Sequence, residues 1–173
     1  MIIVEGPDNS GKTTLISQLA KDLNRVTIKG IRPQTFWEIK TWCQVIEKFP
    51  WPVILDRFPL ISEPVYGPII RGVSLITREE ALIELKLLNP IIIYCRPSLS
   101  IIKDFQLPQM AGVPNHIDKI VNAYDDWMVQ IGRQNTMMVY NYEAHLYHQT
   151  LKEIKNELQR RTRIPHEVQS ASG

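Results

Sequence analysis

The sequence of 173 residues has few of the features that indicate a disulfide-stabilised, membrane-spanning or highly charged protein. Its two cysteines, Cys43 and Cys95, lie far apart and belong to no C-x-x-C or Cys/His cluster, so we expect both to be buried, reduced thiols. The apolar runs are only a few residues long, whereas a membrane-spanning helix needs about 20 residues. The net charge is +2, far from the concentrated basic charge that binds nucleic acid.

We also expect no targeting signal, because Met1 leads into an apolar run without a basic leader. We therefore expect a cytoplasmic protein with neither a membrane nor a nucleic-acid partner. Hydrophobic residues make up 44% and charged residues 22%, a globular composition that excludes a disordered or collagen-like chain. The length suits one domain, predicted over residues 1–160, with 161–173 as a flexible C-terminal tail.

Short apolar runs alternate with longer helical patterns along the chain, which predicts βαβ units and an α/β fold around a parallel sheet. The five predicted strands cover residues 2–5, 26–29, 53–56, 91–95 and 137–142. The predicted helices cover 11–23, 35–49, 77–88, 116–128 and 144–158. Thr77 and Glu80 have the spacing of a capping box at the start of the third of these helices.

One segment, at about 103–116, breaks this pattern. Between residues 106 and 115, two prolines and Gly112 interrupt the helical periodicity. The sequence predicts a mobile loop here, of the kind that forms a lid over a ligand site.

Residues 6–13, GPDNSGKT, match the phosphate-loop motif G-x-x-x-x-G-K-[ST] between a predicted strand and an amphipathic helix. In such a loop, backbone N–H groups point at phosphate oxygens, and the helix contributes its positive dipole end. Lys12 would reach the β- and γ-phosphates, and the Thr13 hydroxyl would bind Mg²⁺. The motif predicts binding of a nucleoside triphosphate, ATP, through Gly6, Asp8, Asn9, Ser10, Gly11, Lys12, Thr13 and Thr14.

A second pair of candidate residues, Asp56-Arg57, lies at the end of the third predicted strand. Ligands of open α/β sheets bind beyond the carboxyl ends of the strands, so we expect both side chains to face the phosphate loop. An acid at this place would position Mg²⁺ and water. An adjacent arginine suits an acceptor that is itself a phosphate, because a guanidinium group binds phosphate bidentately.

With residues 4–14 (VEGPDNSGKTT) and Asp56-Arg57, the sequence resembles the thymidylate kinase family of nucleoside monophosphate kinases. Residues 62–67, SEPVYG, are similar to the segment that follows the Asp-Arg pair in that family, with a one-residue shift. The resemblance implies a three-layer P-loop kinase fold, with a five-stranded parallel sheet flanked by helices and a lid segment. It also implies Mg²⁺-dependent transfer of the γ-phosphoryl group of ATP to a (deoxy)nucleoside monophosphate such as dTMP, giving the diphosphate.

The resemblance also implies roles for individual residues. Arg57 would bind the acceptor phosphate, Asp56 would help to position Mg²⁺ and water, and Asp8 would accept a hydrogen bond from the sugar 3′-hydroxyl. Charge repulsion independently predicts that Asp8 points away from the triphosphate. Arg32 lies where the family places a second contact to the acceptor phosphate. Further candidates for the acceptor pocket are Phe36, Trp42, Tyr66 and Arg71.

The sequence departs from this family in its cations. The phosphate loop has Asn9 where some members have arginine, and residues 106–115 contain neither Arg nor Lys. The usual source of charge neutralisation in the transition state is therefore missing, and we expect Arg96 to replace it, ahead of Lys103, Lys119 and Arg71. The short stretch between the phosphate loop and Asp56-Arg57 is typical of a compact, virus-encoded relative such as a phage enzyme, which would act in the host cytoplasm.

Two other interpretations stay open. A deoxynucleoside or other small-molecule kinase would use Asp56 as the general base for a hydroxyl acceptor, although Arg57 favours a phosphate acceptor. A non-catalytic P-loop binding module would account for the missing arginines. Members of the family commonly dimerise through helices, so the chain is also a candidate homodimer.

Overall fold

The computed structural model describes residues 1–49, 52–104 and 111–163. Its strands are β1 (Ile2–Glu5), β2 (Val26–Lys29), β3 (Val53–Asp56), β4 (Ile91–Cys95) and β5 (Thr136–Tyr140). Its α-helices are α1 (Lys12–Asp22), α2 (Phe36–Glu47), α3 (Pro59–Tyr66), α4 (Arg78–Leu88), α5 (Leu99–Lys103), α6 (Ile117–Gly132) and α7 (Tyr147–Arg163). A π-helical turn (Gly67–Arg71) follows α3, and a 3₁₀ turn (Pro114–His116) precedes α6.

The five strands form one parallel sheet in the order β2-β3-β1-β4-β5. Hydrophobic clusters cover both faces: Ile3 packs in the cluster that includes residues of α2, α3, α4 and α6, and Ile2 packs in the cluster that includes residues of α1 and α7. Adjacent residues of a strand point to opposite faces, so both sides of the central strands are buried. The predicted three-layer α/β arrangement is confirmed.

Helix α3 and the π-helical turn were not predicted from the sequence. Seven of the eight residues of α3 are buried, so the helix has no polar face whose spacing would reveal it. It also contains Pro59 and Pro64. Proline is tolerated in the first turn, where the backbone N–H would have no helical partner, but Pro64 lies inside the helix.

The C-terminal boundary differs from the predicted one. Helix α7 continues through residues 161–163, which the sequence analysis assigned to a flexible tail. Arg161 explains the extension, because its guanidinium donates to the carbonyl oxygen of Asn89 and to Thr136 Oγ1, the latter at 2.9 Å. The remainder of the predicted tail, residues 164–173, lies outside the described residues.

The predicted lid can be described only at its two ends. Lys103 ends α5, Pro114–His116 form the 3₁₀ turn, and residues 105–110 lie outside the described residues. The capping box of α4 is confirmed, with Thr77 and Glu80 each bonded to the other's backbone. In the part of the chain that the structure describes, no helix is both long enough and apolar enough to cross a bilayer.

Candidate active site

The phosphate loop leaves β1 at the centre of the sheet and enters α1. Gly6 has a φ of +146°, and Gly11, which caps α1, has a φ of +81°. A Cβ atom at Gly6 would collide with the Cys95 carbonyl oxygen, and one at Gly11 would lie 2.9 Å from the Tyr142 ring. The positive φ angle and the lack of room for a Cβ atom therefore both require glycine at these two positions.

Lys12 is folded into this loop and is buried. Its ammonium group donates to the carbonyl oxygens of Gly6 (3.0 Å) and Pro7 (2.5 Å) and to Ser10 Oγ (3.3 Å). Burial, together with the nearby Arg57 cation, lowers the pKa of Lys12 to about 8. The loop thus holds the amine where the motif predicts it, with backbone oxygens as its partners.

Asn9 connects the phosphate loop to α5. Its side-chain amide donates to the carbonyl oxygens of Ile101 and Asp104, both at 2.7 Å. Its φ of +62° lies in the left-handed region, which asparagine adopts more readily than most residues. Asn9, which stands where some members of the thymidylate kinase family carry arginine, therefore contacts the end of α5 and the start of the predicted lid.

Arg57 lies directly beside the phosphate loop. Its guanidinium forms an ion pair with Asp8, donates to the Tyr124 hydroxyl at 3.1 Å and lies over the Tyr66 ring at 5.3 Å. Its φ is +69°, a strained conformation for an arginine, and its backbone N–H donates to the Val4 carbonyl at 3.1 Å. Such strain persists only where the surroundings fix the residue.

Glu5, the last residue of β1, organises these surroundings and was missed in the sequence analysis. It is fully buried and accepts hydrogen bonds from the backbone N–H groups of Gly6 (3.2 Å) and Phe58 (2.5 Å) and from the Tyr124 hydroxyl (3.1 Å). Burial raises the pKa of Glu5, although the Arg57 cation, 4.0 Å away, opposes the rise. The signal in the sequence that could have identified Glu5 is an acid at the end of an otherwise apolar strand.

Beside the loop lies a cavity of about 350 Å³, a volume typical of small-molecule sites. Its walls come from the phosphate loop, from the end of β2 with the residues that follow it (29–34), from the end of β3, and from α3 with the π-helical turn. The lining residues are Asp8, Lys29, Gly30, Ile31, Arg32, Pro33, Gln34, Asp56, Arg57, Ser62, Glu63, Tyr66 and Arg71.

The π-helical turn brings Arg71 against a second buried acid, Glu63. The Glu63 side chain is 4% exposed, forms an ion pair with Arg71 and accepts from the Leu75 backbone N–H at 3.0 Å. In the sequence, Glu63 stands out only as part of the segment 62–67 that is similar to the thymidylate kinase family. Its pairing depends on a π-helical turn that no sequence pattern indicated.

Five of the seven predicted acceptor residues line this cavity: Asp8, Arg32, Arg57, Tyr66 and Arg71. Asp56, predicted to position Mg²⁺ and water, lines it as well. The structure does not bring Phe36 or Trp42 there. Both side chains are partly buried and pack against the core, and the Phe36 ring contacts Trp37 edge to face. These two predictions are corrected, because the inward side of α2 is used for packing.

Arg96 follows β4, as expected, but its charge is paired. Its Nε and Nη2 bind the two carboxylate oxygens of Asp125 at 2.8 and 2.9 Å, and its Nη1 donates to the Pro97 carbonyl at 2.7 Å. A cation held in this way would have to leave Asp125 to reach a transferring phosphoryl group. Its role as the replacement cation stays a prediction.

Thr13 and Asp56 fit the Mg²⁺ that the fold implies. Thr13 and Thr14 are exposed in the first turn of α1, and Asp56 lies half-buried at the end of β3. Within the described residues, no hydrogen bond or ion pair engages the Thr13 hydroxyl or the Asp56 carboxylate. Both groups therefore offer the hard oxygen ligands that Mg²⁺ prefers.

No protein-family model and no curated protein matches the sequence. The fold resembles that of the YorR protein of Bacillus subtilis, solved in complex with phosphorylated GDP, with a TM-score of 0.68 and 23% identity over 91% of this chain and 95% of that one. It also resembles deoxyadenosine kinase from M. mycoides (TM-score 0.57, 16% identity, 91% and 97% covered) and thymidylate kinase from Ehrlichia chaffeensis (0.52, 17%, 91% and 97%). The chain therefore has the three-layer α/β architecture of P-loop kinases.

Proposed function

We propose that this protein is an ATP-dependent phosphotransferase that converts a (deoxy)nucleoside monophosphate to the diphosphate. The observation that carries the proposal is the position of Arg57, which lies beside the phosphate loop and lines a cavity large enough for a nucleotide. The phosphate loop would bind ATP, and the cavity would bind the acceptor.

The charges of the cavity support an anionic acceptor. Lys29, Arg32, Arg57 and Arg71 line it against three acids. Two of these acids, Asp8 and Glu63, already form ion pairs with arginines of the same cavity. The remaining basic charge, on Lys29 and Arg32, would attract a phosphate group, as expected for Arg32 from the sequence.

The chemistry requires the chain to align two phosphates and to neutralise charge as the phosphoryl group moves. Lys12 would exchange its carbonyl partners for oxygens of the β- and γ-phosphates, and Arg57 would bind the acceptor phosphate bidentately. Asp8, displaced from Arg57, would accept a hydrogen bond from the acceptor sugar. Mg²⁺, held through Thr13 and Asp56, would neutralise charge on the phosphates when it is bound.

A nucleoside kinase is the second candidate, because deoxyadenosine kinase is among the similar structures. Such an enzyme transfers phosphate to a hydroxyl and needs a general base near the acceptor, which Asp56 would supply. The strained Arg57 and the basic lining favour the monophosphate acceptor.

The test is ADP release from ATP and Mg²⁺ with a panel of nucleosides and their 5′-monophosphates. We expect monophosphates to stimulate turnover and Arg57→Lys to lower kcat/KM for the acceptor by about 100-fold, since a lysine keeps the charge but loses the bidentate contact. Arg133→Ala is the control, because this exposed arginine does not line the cavity. Stimulation by nucleosides alone would establish the second candidate. ATP binding without stimulation by either class would leave only a nucleotide-binding module.

A further inference from the structure

The pair of Glu63 and Arg71 in the cavity wall has no part in the phosphoryl transfer described above. Glu63 is nearly inaccessible, with 4% of its side chain exposed, whereas Arg71 is 42% exposed. Within the described residues, the hydrogen bonds to Glu63 from Arg71 and the Leu75 N–H both go to Oε1. Because Glu63 lines the cavity and Oε2 accepts no hydrogen bond within the described residues, Oε2 can accept one from a ligand in the cavity.

A buried carboxylate in this cavity cannot face the acceptor phosphate, because the two negative charges would repel each other. It must face the sugar or the base. Glu63 lies four residues beyond Pro59, which places it about 6 Å along the axis of α3 from the start of the helix beside Arg57. Asp8 forms the ion pair with Arg57, whereas Glu63 forms one with Arg71, so of these two acids Glu63 is the one not engaged at the proposed phosphate site.

We propose that Glu63 and Arg71 bind the base of the acceptor and that this base is guanine. The inference rests on the proposed monophosphate kinase function. A carboxylate only accepts hydrogen bonds and a guanidinium only donates them, so the base must present donors to Glu63 and an acceptor to Arg71. The edge of guanine has the N1–H and the 2-amino group side by side, followed by the O6 acceptor.

The other common bases match this pair less well. The N3–H of thymine or uracil lies between two carbonyl oxygens, one of which would face the second oxygen of the carboxylate. Adenine and cytosine have one amino group beside an unprotonated ring nitrogen, so they offer only one donor group. Guanine gives the carboxylate two donors, and the more exposed Arg71 turns from Oε1 toward O6. The resemblance left the base open, with dTMP as one example, whereas this pair favours guanine.

The test compares dGMP with dIMP, which lacks only the 2-amino group. We expect the wild-type protein to have a kcat/KM about 10- to 100-fold higher for dGMP, as is typical of a hydrogen bond to a charged group. In Glu63→Gln this preference falls to within about threefold, because one oxygen of the carboxylate is lost. The amide oxygen of glutamine still accepts from the Leu75 N–H, so the fold is preserved. Glu84→Gln is the matched control: this acid pairs with Lys40 and lies outside the cavity lining.

Three results would overturn the inference and leave the kinase function intact. The first is equal kcat/KM for dGMP and dIMP in the wild-type protein. The second is an equal loss for both substrates in Glu63→Gln, which would indicate a structural role. The third is a change in Glu63→Gln, relative to the wild-type protein, in the ratio of kcat/KM for dGMP to kcat/KM for GMP. Such a change would place Glu63 against the sugar. If no monophosphate of any base stimulates ADP release, the kinase function itself is wrong, and the base inference falls with it.

Discussion

Arg57 combines a strained backbone with the position on which the proposed function depends. A left-handed backbone at a non-glycine residue costs about 1–3 kcal/mol and persists where several contacts determine it. Here the Val4 carbonyl holds the backbone, and Asp8 and Tyr124 hold the guanidinium. The guanidinium is thereby pre-oriented toward the cavity. In the proposed reaction, its contact with Asp8 would also neutralise, until the acceptor binds, a carboxylate that repels the acceptor phosphate.

Tyr124 links Glu5 to Arg57 through its hydroxyl, in addition to the direct ion pair of 4.0 Å between these two residues. Its hydroxyl donates to Glu5 and accepts from Arg57, and its ring stacks on Tyr94 with centroids 6.0 Å apart. We expect Tyr124→Phe to keep the ring packing and to raise the KM for the acceptor about tenfold, because the Arg57 guanidinium loses one of the two hydrogen-bonding partners that it has within the described residues. The KM for ATP should stay near the wild-type value. Steady-state kinetics with each substrate varied in turn measure both.

Tyr147→Phe is the matched control for this prediction. Its hydroxyl also donates to a carboxylate, Asp22, at 2.8 Å, but it does not line the cavity. Equal rises in both KM values for Tyr124→Phe would point to general loosening of the fold. An unchanged acceptor KM would show that Tyr124 does not position Arg57.

Sequence reasoning identified the site residues that belong to local motifs. Lys12 and the Asp-Arg pair follow from their neighbours along the chain, since the residue types and the preceding strands are enough. Glu5 and Tyr124 are 119 residues apart, and their contact exists only after β1 and α6 are packed together. Neither residue type alone indicates such a contact, so the support for Arg57 could not be predicted.

At the scale of the elements, amphipathic helices were predicted well and fully buried ones were not. Helix α2 was expected over 35–49 and covers Phe36–Glu47, because its apolar face alternates with a polar one. Helix α3 packs on nearly all sides, so its sequence has no such alternation. Helix α3 carries Glu63 and Tyr66. The wall that it contributes to the cavity was consequently the least predictable part of the candidate site.

The end of α7 gives a prediction at this scale. Arg161 joins the helix to the segments that enter β4 and β5, through Asn89, Pro90 and Thr136, and it also pairs with Glu157 at 2.7 Å. We expect Arg161→Ala to lower the free energy of unfolding by about 1–3 kcal/mol, since these carbonyl and hydroxyl partners lose their donor. Urea-induced unfolding, followed by circular dichroism, measures this change.

Arg160→Ala is the control, because Arg160 pairs with the same Glu157 but is 62% exposed and, within the described residues, has no contact with another element. Its effect should stay within about 0.5 kcal/mol. Equal destabilisation by the two variants would mean that α7 is anchored by charge pairing with Glu157 and not by the contacts of Arg161.

For the molecule as a whole, the alternation of strands and helices predicts the α/β class but not the strand order. The order places β1 at the centre, with the carboxyl ends of β3 and β4 on either side. The candidate site therefore lies at the carboxyl ends of the central strands, and Glu5 and Lys12 are both buried there. Buried charges at this place oppose folding, so the site is maintained at a cost in stability.

That cost makes the stability of the molecule depend on pH through Lys12. The pKa of Lys12 is about 8 in the folded protein, mainly because of burial, against an ordinary value of 10.5 in the unfolded chain. Between these values the unfolded state binds more protons, so the contribution of Lys12 to the free energy of unfolding rises with pH, by at most about 1.4 kcal/mol per pH unit. Below pH 8 the contribution is constant. We expect this rise in the free energy of unfolding above pH 8 to be absent in Lys12→Met.

The measurement is urea-induced unfolding of the wild-type protein and of Lys12→Met at pH 7, 8, 9 and 10. Lys21→Met is the control, because it removes an exposed amine from the same helix. The difference in unfolding free energy between the wild-type protein and Lys12→Met should be flat up to about pH 8 and then grow in favour of the wild-type protein. The raised pKa of the buried Cys95, about 12, affects both proteins and is largely removed from the difference. Parallel profiles for the two proteins at all four pH values would mean that Lys12 keeps an ordinary pKa and that the phosphate loop holds its ammonium group without a cost in stability.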